Sequence, residues 1–187
     1  MTARYLAELG QVLTQVQCAN GAGTLALADG LEQAVALVTD QTAKGRKVMF
    51  VGNGGSASIA SHQATDYLKN GGMRALAFND AAMLTCVSND LGYERVFEKQ
   101  VAMLADPGDV LIAISSSGKS ENILRAVAAG VAAGTRTITM SGFAPDNPLR
   151  QHGELAFYVP SHSYGFVEIA HLALCHCIVD TIIERQR

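Results

Sequence analysis

Two glycine- and serine-rich segments, Gly52-Asn53-Gly54-Gly55-Ser56 and Ser115-Ser116-Ser117-Gly118-Lys119-Ser120, carry the strongest chemical signal in the chain. Each follows a short apolar run and precedes a stretch with helical periodicity, the layout in which backbone N–H groups at a helix start face an anion. Ser115, Ser116, Ser117 and Ser120 add hydroxyl donors and Gly118 lets the backbone approach closely, so phosphate is the ligand this pattern implies. An ordinary serine-rich helix cap explains one or two of these serines but not all of them. The first loop lacks the third glycine of G-x-G-x-x-G, and no Walker lysine follows it, which argues against nicotinamide and ATP. A sugar phosphate fits better, with Gly54 and Gly55 making room and Asn53 able to address hydroxyls.

A second constellation is made of acids and histidines. His62 and Asp66 stand at i and i+4 of the helix expected after the first loop and so share a face, although the same spacing also serves a plain solvent-facing pair. Glu168 and His176, eight residues apart, lie about 80° apart around the last helix among apolar residues, where an unpaired charge is costly. A cluster of His62, Asp66, Glu168 and His176 would satisfy that demand and supply ligands suited to zinc or a related divalent ion. His171 falls on another face and reads as a core or interface histidine, while His152 and His162 sit in loops without a motif. Cys175-His176-Cys177 resembles a metal cluster in composition only, because adjacent helical side chains diverge by about 100°. Cys18, Cys86, Cys175 and Cys177 are therefore expected to be free thiols, with those of the last helix buried.

The elements that must position these residues follow from hydrophobic spacing. Leu6, Leu9, Leu13 and Val16, then Leu27, Leu31, Ala34 and Val38, predict two amphipathic helices separated by a break at Asn20-Gly21-Ala22-Gly23. Strand-like runs occupy residues 47–51, 74–78, 110–114, 135–140 and 155–159, most of them alternating with helical stretches such as 121–133. Continuous apolar strands alternating with helices imply an α/β fold whose parallel sheet is covered on both faces. Residues 166–183 are apolar on nearly every side and predict a buried helix.

Composition bounds the rest. The 187 residues are 49% hydrophobic and only 17% charged, below the roughly 25% usual for soluble proteins, which suggests apolar surface hidden between subunits. A net charge of -3 without a basic stripe argues against nucleic acid. The first residues lack a signal-like apolar run and no stretch of about 18 consecutive apolar residues occurs, so a soluble cytoplasmic protein without a membrane partner is expected. The chain reads as one domain over 1–187, with 1–45 as N-terminal helices for oligomerisation and 46–187 as the α/β core.

The segment 52–57, then His62, then Ser88-Asn89-Asp90, then 115–120 resemble the sugar isomerase (SIS) domain family, most closely its phosphoheptose isomerase branch. The resemblance implies a five-stranded parallel sheet in a flavodoxin-like, three-layer α/β/α arrangement, a homotetramer, and active sites shared between subunits. It also implies an aldose–ketose isomerase that converts sedoheptulose 7-phosphate to D-glycero-D-manno-heptose 7-phosphate through an enediol. Matched by position, Asn53, Gly54, Gly55 and Glu168 would contact substrate, Asn89 and Asp90 its hydroxyls, and Ser115, Ser116, Ser117 and Ser120 the phosphate. Asp66 and His176 would be the acid–base pair, and His62, Asp66, Glu168 and His176 the ligands of a divalent metal such as zinc. The family's catalytic glutamate is Asp66 here, and its glutamine on the last helix is Glu168. Its arginine four residues past the acid is Asn70, beside Lys69, and the aspartate opening the last helix is Gly165 in a loop shorter by one residue. These departures leave open an isomerase for another sugar phosphate. A different class of reading is a non-catalytic tetrameric scaffold similar to the DnaA initiator-associating protein.

Overall fold

The computed structural model describes residues 2–187, the side chain of Ala3 excepted. Helix α1 (Thr2–Thr14) leads into strands β1 (Gln17–Asn20) and β2 (Gly23–Leu25), followed by α2 (Leu27–Ala43), β3 (Val48–Gly52) and α3 (Gly55–Lys69). Next come β4 (Ala75–Ala77), α4 (Ala81–Leu91), α5 (Val96–Leu104), β5 (Val110–Ser115) and α6 (Glu121–Ala132). The chain ends with β6 (Arg136–Ser141), β7 (Leu155–Tyr158) and α7 (Tyr164–Arg185).

The expected five parallel strands are present, in the order β7-β6-β5-β3-β4, which is the flavodoxin-like order. The sheet, however, has seven strands. β1 pairs antiparallel with β7, Cys18 opposite Phe157, and β2 pairs antiparallel with β1 at the edge. The Asn20-Gly21-Ala22-Gly23 break is thus a hairpin turn, in which Asn20 Oδ1 accepts from the Ala22 N–H at 2.9 Å. Sheet residues therefore begin at 17, inside the segment assigned to helices alone.

Side chains alternate across the sheet with a period of two. Val48, Phe50, Val110, Ile112 and Ile114 face one core with α2, α3 and α7, while Met49, Val51, Leu111 and Ala113 face another with α4, α5 and α6. At the opposite end of the strands from the glycine loop, Lys47 pairs with Asp109 and, at 2.8 Å, with Asp106. Its ammonium loses hydration on burial, yet the two carboxylates outweigh that and hold its pKa above the ordinary value.

α7 differs from its expected form. Val167, Ala170, Leu174, Cys175, Ile178, Val179 and Ile182 are buried against the sheet, but Cys177 is exposed, Ile169 is 39% exposed and His176 is only partly covered. The helix is long and apolar enough to cross a membrane, with a mean hydropathy of 1.7 in its best window. One face is nonetheless the third layer of a sheet-centred core, which is the role of a core helix. Cys175 and Cys177 thus point to different environments, and burial pushes the Cys175 thiol up to about 12.

Candidate active site

β3 and β5 are neighbours whose following connections leave to opposite sides of the sheet, so their C-terminal ends form the switch-point crevice where ligands bind in open α/β sheets. Both predicted loops open into that crevice. A cavity of about 230 Å³ is lined by Asn53, Gly54, Gly55, Ser56, Ser115, Ser116, Ser117, Ser120, Tyr164 and Glu168. All the serines and glycines expected at the phosphate site line it except Gly118, whose role is structural.

Two helix N-termini converge here, and they are not equivalent. At α3, a Cβ on Gly55 would overlap the Glu168 carboxylate, so the missing side chain is what lets this acid rest on the positive end of the helix. With a carboxylate already resting at the start of α3, the start of α6 is the one of the two left open to the cavity. There Ser115 Oγ accepts from the Gly118 N–H at 3.2 Å and lies 3.4 Å from Ser120 Oγ, while Ser117 Oγ accepts from the Lys119 N–H at 3.2 Å. Ser116 Oγ is buried without a partner, an expensive state that an incoming phosphate oxygen would relieve. Gly118 has φ +62°, and its flat side lies against the buried Asn147.

Asn53 is fixed by contacts the sequence did not reveal. Its amide pairs reciprocally with that of Asn122, at 2.9 Å in each direction, and its Oδ1 also accepts from the Tyr93 hydroxyl at 2.9 Å. These partners are 69 and 40 residues away. The only sequence signal was a polar residue, Asn122, in the apolar-patterned first turn of α6. Asn89 and Asp90 lie at the exposed end of α4, where the Asn89 amide donates to Asp90 Oδ1 at 2.8 Å, outside the residues lining the cavity.

A second cluster stands further along α3 and α7. His62 Nε2 is 3.4 Å and His176 Nδ1 3.8 Å from Asp66 Oδ2, with the two rings 5.3 Å apart. Potential ligand atoms of His62, Asp66 and His176 lie within 4.8 Å of one another. Asn70 donates to the other carboxylate oxygen, Asp66 Oδ1, at 3.0 Å. Glu168 does not join this group: it sits eight residues, or about 12 Å of helix, before His176. The four residues grouped by burial therefore divide into a three-residue cluster and a carboxylate in the serine-lined cavity.

His171 belongs to neither cluster. Fully buried, its Nε2 bonds to the Ser141 carbonyl at 3.1 Å, and burial lowers its pKa to about 4, so the ring is neutral.

Residues 4–142 match the family model described as SIS domain. A phosphoheptose isomerase of Thiobacillus denitrificans is 39% identical over 165 residues, covering 84% of each chain. One from Akkermansia muciniphila is 35% identical over 166 residues, covering 86% of this chain and 87% of its own. Among solved structures, the phosphoheptose isomerase from Neisseria gonorrhoeae superposes with a TM-score of 0.84 at 29% identity, covering 97% of this chain and 96% of the other. That of Francisella tularensis gives a TM-score of 0.84 at 27% identity, with coverage of 98% and 96%.

Proposed function

This chain belongs to the SIS domain family and sits among its phosphoheptose isomerases, and on that premise we propose how its residues interconvert sedoheptulose 7-phosphate and D-glycero-D-manno-heptose 7-phosphate. The observation that carries the reading is the pairing of a hydroxyl-lined cavity at the start of α6 with an Asp–His cluster further along α7. The phosphate binds at Ser115, Ser116, Ser117 and Ser120. Eight bonds separate phosphorus from C1 in a seven-carbon phosphate, roughly 10 Å when extended, so the reacting carbons lie well away from the phosphate oxygens and call for a second group of residues beyond the serines. Phosphate binding thus anchors one end of the molecule and helps to place C1 and C2 against the acid–base pair.

Asp66 and His176 form that pair. One takes the C1 proton of the ketose, and the other moves a proton between the two oxygens; the enediol is then reprotonated at C2 to give the aldose. Asn70 holds one Asp66 oxygen and leaves the other facing both histidines. In the cavity, Asn53 and the Glu168 carboxylate can bond the hydroxyls nearest the phosphate.

The donor set of His62, Asp66 and His176, two imidazoles and a carboxylate with ligand atoms close together, fits zinc or a similar divalent ion with room for an exogenous ligand. When bound, such an ion would polarise the substrate carbonyl and stabilise negative charge on oxygen. We further propose a homotetramer with sites shared between subunits. Supporting this are the apolar residues left exposed beside both clusters, Leu68 at 55% and Ile169 at 39%, and on α1, Leu6 at 68%. Four unpaired thiols fit a reducing cytoplasm.

The direct experiment mixes the protein with sedoheptulose 7-phosphate and follows aldose formation, with and without zinc or a chelator. Asp66→Asn and His176→Ala should each lower turnover by about 100-fold or more. Absence of turnover with every sugar phosphate, with and without zinc, would overturn the isomerase reading. Recovery of a stoichiometric protein partner in that case would favour the scaffold.

A further inference from the structure

Phe143, just past β6, is the one non-glycine residue with positive φ among the described residues, at +57°. L side chains avoid this conformation, and it persists only where the surroundings fix it. Here both backbone groups are held: the N–H donates to the Ser161 carbonyl at 3.0 Å, and the carbonyl accepts from the Tyr158 hydroxyl at 2.8 Å. The result is a fixed backbone from which the ring projects. It stacks on His162 at 6.0 Å and 19°, and meets Tyr164 edge-on at 4.7 Å and 87°.

Tyr164 opens α7 and lines the phosphate cavity, one turn before Glu168 on the same helix. The remaining lining consists of asparagine, glycines, serines and a carboxylate, so Tyr164 supplies its only aromatic surface. The residue is 64% exposed, although its ring meets that of Phe143 edge-on. An exposed aromatic supported on one side by a second ring, and lining a hydroxyl-rich cavity, suits a ligand with polar edges and an apolar C–H face, which describes a sugar chain leaving a bound phosphate.

We infer that Tyr164 is a specificity-determining residue that packs against the carbon chain next to the phosphate, and that Phe143 is a positioning residue holding its ring in place. The inference rests on the sugar-phosphate reading of this cavity, but not on catalysis. It separates recognition of the sugar from recognition of the phosphate, because among the described residues no hydrogen bond joins Tyr164 or the Phe143 ring to the serine hydroxyls; the Gly142 N–H, beside Phe143, bonds only to the Ser116 carbonyl.

Calorimetric titration of the full chain with sedoheptulose 7-phosphate and, separately, with inorganic phosphate tests it. Tyr164→Ala and Phe143→Gly should each weaken the sugar phosphate by roughly tenfold and leave inorganic phosphate within about twofold. Tyr164→Phe should retain wild-type affinity, and the double variant should lose little beyond either single one. In turnover assays the same variants should raise KM with kcat nearly unchanged. Unchanged sugar phosphate affinity in Tyr164→Ala would overturn the inference, as would a parallel loss of both ligands, or a wild-type protein that binds the two equally. Selective binding by the wild type without turnover would instead sink the isomerase reading and leave the inference standing.

Discussion

Gly118→Ala isolates the contribution of one backbone position to the serine-rich loop proposed to hold the phosphate. Its φ of +62° would cost an alanine about 1–2 kcal/mol. The added methyl would overlap the end of Asn147 and stand 2.9 Å from the Asn147 Cβ, so rotating that side chain does not clear the contact. Asn147 is fully buried; its amide donates to Ser141 Oγ at 3.2 Å and to the Gly142 and Ala144 carbonyls at 3.2 and 2.8 Å, and its Oδ1 accepts from the Arg150 N–H at 3.1 Å. Losing two of these bonds costs about 2 kcal/mol, for a total near 3–4 kcal/mol. At roughly 2–4 °C per kcal/mol for a chain of this size, the midpoint of thermal unfolding should fall by about 10 °C. Inorganic phosphate should raise the wild-type midpoint but scarcely move that of the variant, because the displaced loop carries the serines. Gly21→Ala, at a turn where the new methyl meets nothing within 4 Å, is the control and should be near neutral. A Gly118→Ala protein with a midpoint within about 2 °C of wild type and intact phosphate stabilisation would refute this account of the loop.

His171 gives a pH signature. Its folded pKa of about 4 lies below the ordinary 6.5, so the unfolded chain binds the extra proton first; its contribution is fully present above pH 6.5 and declines as pH falls toward 4. The full effect is about 3 kcal/mol, and urea titrations between pH 7.5 and 4.5 should show a shallower loss in His171→Leu than in wild type. If the proposed metal site is right, His62→Ala should weaken divalent metal binding, measured by competition with a chromophoric chelator, by more than about 100-fold, since it would remove a ligand and not merely an outer partner. Asn70→Ala, which removes such an outer partner of Asp66, should cost about tenfold in the same titration with little change in unfolding midpoint; equal metal affinity would exclude its positioning role.

The parallel strands were legible because their burial on both faces writes an unbroken apolar run, as in Val48–Gly52 and Val110–Ser115. β1 and β2 were not. Gln17–Asn20 and Gly23–Leu25 are short and only partly apolar, and what makes them strands is pairing: β1 with β7, more than 130 residues away, and β2 with β1. The two loops could be read from composition alone, since a phosphate site needs only a strand, small residues and a helix start in sequence. Tyr93 and Asn122 hold Asn53 through the fold, and no local pattern marks such contacts. Helical spacing also gave direction without depth: it placed Glu168 and His176 on neighbouring faces, yet the length of α7 between them assigns the first to the serine-lined cavity and the second to the acid–histidine cluster.

Asp66 and Asn70, the positions where the resemblance implied a glutamate and an arginine, act together in the structure. An aspartate is one methylene shorter, so its carboxylate has less freedom to reach ligands on another helix. Asn70, one turn later on the same face, takes Oδ1 with an uncharged amide and turns Oδ2 toward both histidines. An arginine there would add a full positive charge beside the carboxylate and compete with a metal ion for it. The neutral donor orients the acid while leaving its charge available, which is what either proton transfer or metal binding at this cluster requires.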